Sequence, residues 1–134
     1  MTKKNRFDRL LTEVELEIMN VVWRLEPCSI RAVVDALPAE RKLAYTSVAT
    51  MVKILEQKGA LKGTREDKSH LYHSAISKED YEARTLLHLA DKLFAGSPSS
   101  MVMRLLDEAE LGAEELKAIR ETLEEKLKSE RGRK

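Results

Sequence analysis

Segment 44–59, AYTSVATMVKILEQKG, places short hydroxyl side chains and a cation along one side of an expected helix. At 3.6 residues per turn, Thr46, Thr50, Lys53 and Gln57 share a face, with Ser47 beside Thr46 and Tyr45 just ahead of them. Ile54 borders this face, which otherwise lacks large apolar residues. Short hydroxyls let a helix approach a groove closely and offer hydrogen bonds to base edges or phosphate oxygens. The next segment, LKGTREDKSHLYHSA, carries Arg65, Lys68 and His70 around a charged turn, where they suit phosphate contact. The bland alternative is a solvated face of a helical hairpin, and spacing alone leaves both readings open.

These residues need a scaffold. Val48, Met51, Val52 and Leu55 form the buried stripe of the helix, and Gly59 stops it. Short alternating strands are expected over Leu61–Arg65 and His70–Ala75, with Leu71, Tyr72 and Ile76 as anchors and a turn over residues 66–69. A helix followed at once by a two-stranded ribbon is the working end of a winged helix-turn-helix. Upstream, Thr12 and Glu15 have capping-box spacing. The helix they open carries Val14, Ile18, Val21, Val22 and Leu25, places Trp23 at the core edge, and stops near Glu26-Pro27. Ser29 caps a short second helix with Ile30, Val33, Val34 and Leu37 turned inward, and Pro38 ends it.

Downstream, Ser77 opens a helix to about Phe94, with Tyr81 near its start and Leu86, Leu89, Leu93 and Phe94 as candidate buried residues. After the break GSPSS come helices carrying Met101, Val102, Leu105 and Leu106, then Leu116, Ile119, Leu123 and Leu127, with a frayed tail, SERGRK. Their narrow apolar faces make too little core for an isolated domain. A second copy of the chain is therefore expected to complete it through Leu86, Leu89, Leu93, Phe94, Val102, Leu105, Leu106, Leu116, Ile119 and Leu123. The alternative is a monomer in which this region folds back on the first domain. The expected fold is mainly α with a small β-wing: a winged helix-turn-helix domain over 1–76 and a helical dimerisation region over 77–134.

Net charge is only +1 over 134 residues, but its distribution is uneven. Residues 41–73 hold seven Lys or Arg against three acids, whereas 78–128 hold eight against twelve. That asymmetry suits phosphate contact by one part and assembly by the other, although charge alone fits ordinary solvated helix faces equally well. Cys28 is the one cysteine, which excludes an intrachain disulfide and a multi-thiolate metal site. It reads as a small, partly buried residue rather than a redox sensor. No apolar run could span a bilayer and the amino end lacks a leader pattern, so a cytoplasmic location is expected. His70 and His73 point to opposite faces of a strand, and His88 reads as a core or edge residue, so no metal site is expected. No phosphate loop, zinc-protease motif or nucleophile elbow occurs, and the reading is neither an enzyme nor a cofactor protein.

LTEVELEIMNVVW, AYTSVATMVKILEQKGALKG and YHSAISKEDY, in this order, resemble the penicillinase-repressor (BlaI/MecI/CopY) family from about Leu11 to Lys128. The resemblance implies a bacterial transcriptional repressor that binds a palindromic double-stranded DNA operator with TACA/TGTA-type half-sites as a homodimer. It implies base reading by Thr46 and Ser47, groove or phosphate-edge contact by Thr50 and Lys53, Tyr45 near the backbone, and wing contacts from Arg65, Lys68 and His70. Ile54 stands where many relatives carry arginine. The asparagine-phenylalanine pair cleaved in antibiotic-responsive members is replaced by Arg104-Leu105, and the cysteine-rich end of the copper-responsive branch is absent. Neither inducer route is therefore expected to transfer, and a regulatory protease stays an unassigned partner. Two other readings are a MarR-like regulator responding to a small molecule and a winged-helix module that binds protein rather than DNA.

Overall fold

The computed structural model describes residues 10–41, 43–66 and 68–132. Lys42, Asp67, the segment 1–9 read for a leader, and the last two residues of the tail lie outside them. Two compact units divide the chain between Leu86 and Leu87.

The first unit begins with α1 (Glu13–Leu25). Its capping box is closed: Thr12 Oγ1 accepts from the Glu15 amide at 3.2 Å, and Glu15 Oε1 accepts from the Thr12 amide at 2.9 Å. The helix ends immediately ahead of Glu26-Pro27. Next comes α2 (Ile30–Ala36), where Ser29 Oγ accepts from the Ala32 amide at 3.1 Å. A single 3-10 turn, Ala39–Arg41, leads to α3 (Tyr45–Lys58). Gly59 closes α3 in the left-handed region at φ 91°, where a side chain would be strained.

Strands β1 (Leu61–Glu66) and β2 (Ser69–Ser74) pair antiparallel, from Leu61 opposite Ser74 to Glu66 opposite Ser69. The ladder extends one residue further into the expected turn from each side. On its other edge β2 is bracketed by Cys28, whose amide donates to Tyr72 O at 3.0 Å and whose carbonyl accepts from the Tyr72 amide at 2.8 Å. Ile18, Met19, Val22, Val33, Val48, Val52, Leu55 and Leu61 are the fully buried centre of the core, with Tyr72 and Ile76 at its margin. Leu71 is only half-buried, since alternation along β2 turns it away from Tyr72.

Trp23 does sit at the core edge. Its indole N–H donates to Ile76 O at 3.0 Å, and the Lys78 ammonium lies 5.5 Å from its ring centre. Tyr81 stands 5.9 Å from that ring, and its hydroxyl accepts from the Leu11 amide at 2.9 Å. Tyr81 belongs to α4 (Lys78–Leu93), opened by Ser77 Oγ accepting from the Asp80 amide at 3.0 Å.

The second unit holds the end of α4, then α5 (Pro98–Glu108) and α6 (Ala113–Arg131). Ser97 caps α5, while the Glu115 carboxylate accepts from the Gly112 amide at 3.1 Å to open α6. The tail expected to fray remains helical to Arg131. Among the described residues of this unit, only Ala90 is buried. The burial expected of Leu89 and Leu93 is not met within one chain, nor that of Leu86 at the end of the first unit. Val102, Leu105, Leu116 and Leu123 are exposed as well, while Phe94, Leu106 and Ile119 are half-buried. The physical reason is that the helices of this unit make little contact with one another, so among the described residues their apolar stripes are only partly covered. His88 is exposed rather than at a core position.

Candidate nucleic-acid interface

Helix α3 divides sharply into two faces. Val48, Val52 and Leu55 are at most 1% exposed, and Met51 is half-buried beside them. Tyr45, Thr46, Ser47, Thr50 and Lys53 all face solvent on the other side, together with Ile54. The stripe that locks the helix into the core thus fixes the direction of the hydroxyl ridge. Thr50 Oγ1 donates to Thr46 O at 3.0 Å, so its proton is used within the helix. What Thr50 presents outward is an acceptor oxygen and a methyl group. Ala44, the residue ahead of α3, supplies no side-chain cap.

On the wing, Arg65 and His70 are opposite one another in the ladder and both are exposed. The His70 imidazole stacks on the Tyr72 ring with centroids 4.8 Å apart and planes 5° from parallel. Gly63, opposite Tyr72, leaves room for that stack. A Cβ there would come within 2.6 Å of His70 Nε2, 3.0 Å of Tyr72 Cε1 and 3.2 Å of Glu56 Oε2. Burial, then the nearby Glu56 and Tyr45, raise the Tyr72 phenol above its ordinary pKa, so it stays neutral. Lys68 is exposed at the tip, and Lys62 is exposed on the opposite strand face, across from His73.

Two cations of the basic segment are turned inward. Arg41 Nε and one terminal guanidinium nitrogen donate to the two Glu17 oxygens at 2.7 and 2.6 Å. Those bonds hold the Glu17 carboxyl below its usual pKa and raise Arg41. Lys58 Nζ lies 2.7 Å from Glu15 Oε2, whose side chain is only 5% exposed. Burial alone would raise Glu15, but the bonds from Lys58 and Thr12 together carry it below its ordinary value. The first pair fastens α1 to the turn ahead of α3 and the second to the end of α3 itself, and the local charge tally therefore overstates what is available to an anion.

A cation outside that segment was missed. Arg31 of α2 lies with its guanidinium carbon 4.9 Å from the centre of the Tyr45 ring. The helix IRAVVDAL attracts attention for its apolar side. The general geometry of helix-turn-helix docking, in which the preceding helix crosses the backbone, was the available signal.

The sequence profile described as Penicillinase repressor matches residues 11–125. The methicillin resistance regulatory protein MecI of Mammaliicoccus sciuri is 22% identical over 116 residues, covering 87% of this chain and 94% of that protein. The transcriptional regulator BlaI of Mycobacterium tuberculosis is 32% identical over 117 residues, covering 86% of this chain and 83% of that protein. A solution structure of monomeric Bacillus licheniformis BlaI in complex with the blaP half-operator aligns with a TM-score of 0.48 and 27% identity, over 55% of this chain and 90% of that one. On the extent of the profile match and the identity to BlaI, this chain belongs to the penicillinase repressor family.

Proposed function

We propose that the chain is a sequence-specific transcriptional repressor that binds double-stranded DNA as a homodimer on a palindromic operator with TACA/TGTA-type half-sites. The observation that carries this reading is the two-faced α3: a sealed apolar stripe behind an outward ridge of Thr46, Ser47, Thr50 and Lys53. Thr46 and Ser47, at the amino end of the helix, read base edges in the major groove. Thr50 and Lys53 follow along the groove or its phosphate edge, with Tyr45 near the backbone. Arg65, Lys68 and His70 of the wing contact phosphates, which position the protein without reading sequence.

Repression on this reading needs no chemistry: a bound dimer occludes the promoter. Dimerisation is supported by the exposed apolar residues of α4–α6, among them Leu89, Leu93, Val102, Leu105, Leu116 and Leu123. A region that buries so little of its own apolar surface gains stability by pairing with a second copy. Two copies related by a two-fold axis would present two ridges to two half-sites. In this reading residues 1–76 bind DNA and 77–134 assemble the dimer. Among the described residues no helix is long and apolar enough to cross a membrane.

Gel-shift titration on the region upstream of the chain's own gene tests the reading. A shift with nanomolar to tens-of-nanomolar affinity, lost on scrambled DNA of the same length, is expected at physiological salt. Equal affinity for both duplexes would contradict it.

A further inference from the structure

We propose that Arg31, on α2, is a phosphate-binding residue of the DNA interface and that Tyr45 is the platform holding it in place. The proposal rests on the DNA-binding reading above and adds a contact from a second helix. Both side chains face solvent, Arg31 with 64% of its side chain exposed, and the guanidinium lies over the Tyr45 ring. An exposed arginine ordinarily samples many rotamers. Attraction to a ring face restricts them, and the weakly hydrated guanidinium suits such a surface. The ring covers one side of the group only, and with 64% of the side chain exposed its N–H donors still reach solvent. Those donors are thus left for an anion.

The competing acceptor is Asp35, one turn along α2. Its closest oxygen is 3.9 Å from Arg31, and its own side chain is 68% exposed. A solvated contact at that distance is weak and yields to a phosphate, which accepts two parallel N–H bonds from one guanidinium. Arg41 differs in kind, since Glu17 already holds it through two short bonds. Location adds the rest of the argument. Tyr45 opens α3 immediately before Thr46 and Ser47, and α2 is the helix that precedes the recognition helix. In helix-turn-helix docking that preceding helix crosses the sugar-phosphate backbone. Arg31 therefore sits where groove contact gives way to backbone contact, and its ligand is a phosphodiester anion of the duplex, bound without base preference.

Fluorescence anisotropy on the full chain tests this, using the upstream duplex and a scrambled duplex of equal length over a series of salt concentrations. Arg31→Ala and Arg31→Gln should weaken both duplexes by a similar factor, roughly five- to ten-fold, and lower the salt slope by about two for the dimer, about one for each copy of Arg31. Tyr45→Ala should reproduce much of the loss, and Tyr45→Phe, which keeps the ring, should lose clearly less than Tyr45→Ala. Adding Tyr45→Ala to Arg31→Ala should cost little more, because the second residue acts through the first. Wild-type affinity and slope in both Arg31 variants would overturn the proposal, as would a loss confined to the upstream duplex. A wild-type chain that fails to discriminate the two duplexes would instead overturn sequence-specific recognition, while the slope comparison still decides the role of Arg31.

Discussion

Lys58, in the last turn of α3, donates a 2.7 Å hydrogen bond to Glu15, in the first turn of α1. One carboxylate thereby serves two structures: Oε1 closes the capping box and Oε2 holds α3 to the core. Its depressed pKa makes this a pH-dependent contribution. The stability is present above the ordinary carboxyl pKa and is lost as pH falls through the lower folded value. Glu15→Gln keeps an acceptor for the cap and removes the ion pair. Urea denaturation should show it less stable by about 2 kcal/mol at pH 7, with the gap narrowing below pH 4. A gap that stays constant with pH would show that the charge contributes nothing.

Replacing Thr46 or Ser47 by Ala should relax operator discrimination, each lost base contact costing about 1–3 kcal/mol on the preferred duplex. Lys53→Ala and Arg65→Ala should instead weaken preferred and scrambled duplexes alike, with a shallower salt dependence. Competition gel shifts separate these patterns. Unchanged preference in the Thr46 and Ser47 variants would remove α3 from base reading.

Cys28 is 5% exposed, and burial, followed by the neighbouring Glu26 charge, raises its thiol pKa. The thiolate is the reactive form, so this sulfur should resist modification. Ellman's reagent should label native protein at pH 8 at least tenfold more slowly than protein in guanidinium. Comparable rates would mean that the bridge from Cys28 to Tyr72 opens readily.

Gly63→Val should displace the His70–Tyr72 stack, because the added side chain meets three groups from β2 and α3. Overpacking of this kind costs about 1–3 kcal/mol. Thermal denaturation reads the cost, and loss of the ring-current shift on His70 protons reads the displacement. A variant with the wild-type midpoint and shift would show that the wing accommodates the side chain.

Leu89→Asp or Leu123→Asp should shift the chain from dimer to monomer in sedimentation velocity, since a charge on an apolar contact remains solvated only when the contact is broken. Far-UV circular dichroism of the whole chain at matched concentration guards against simple unfolding. A variant that sediments with the wild-type mass would move the interface elsewhere.

Local chemistry was the most legible part of the sequence. Thr12 with Glu15, Ser29, Ser77 and Gly59 act within one turn of their own position, and each marks a real helix end. Helical period likewise separated Val48, Val52 and Leu55 from Thr46, Ser47 and Lys53. What period cannot encode is a meeting between distant segments. Glu17 with Arg41 and Glu15 with Lys58 are joined only by tertiary packing, so a charge tally counted both cations as free. Arg31 over Tyr45 belongs to the same class. For Leu86, Leu89 and Leu93, spacing revealed an apolar stripe but carried no information about its cover.

The indole of Trp23, bonded to the Ile76 carbonyl beside Lys78 and Tyr81, gives the molecule its own optical gauge. No other tryptophan emits, and the tyrosine 5.9 Å away can pass excitation to it. Any event that loosens the start of α4 from α1 will therefore redden and dim the native fluorescence, with no dye attached.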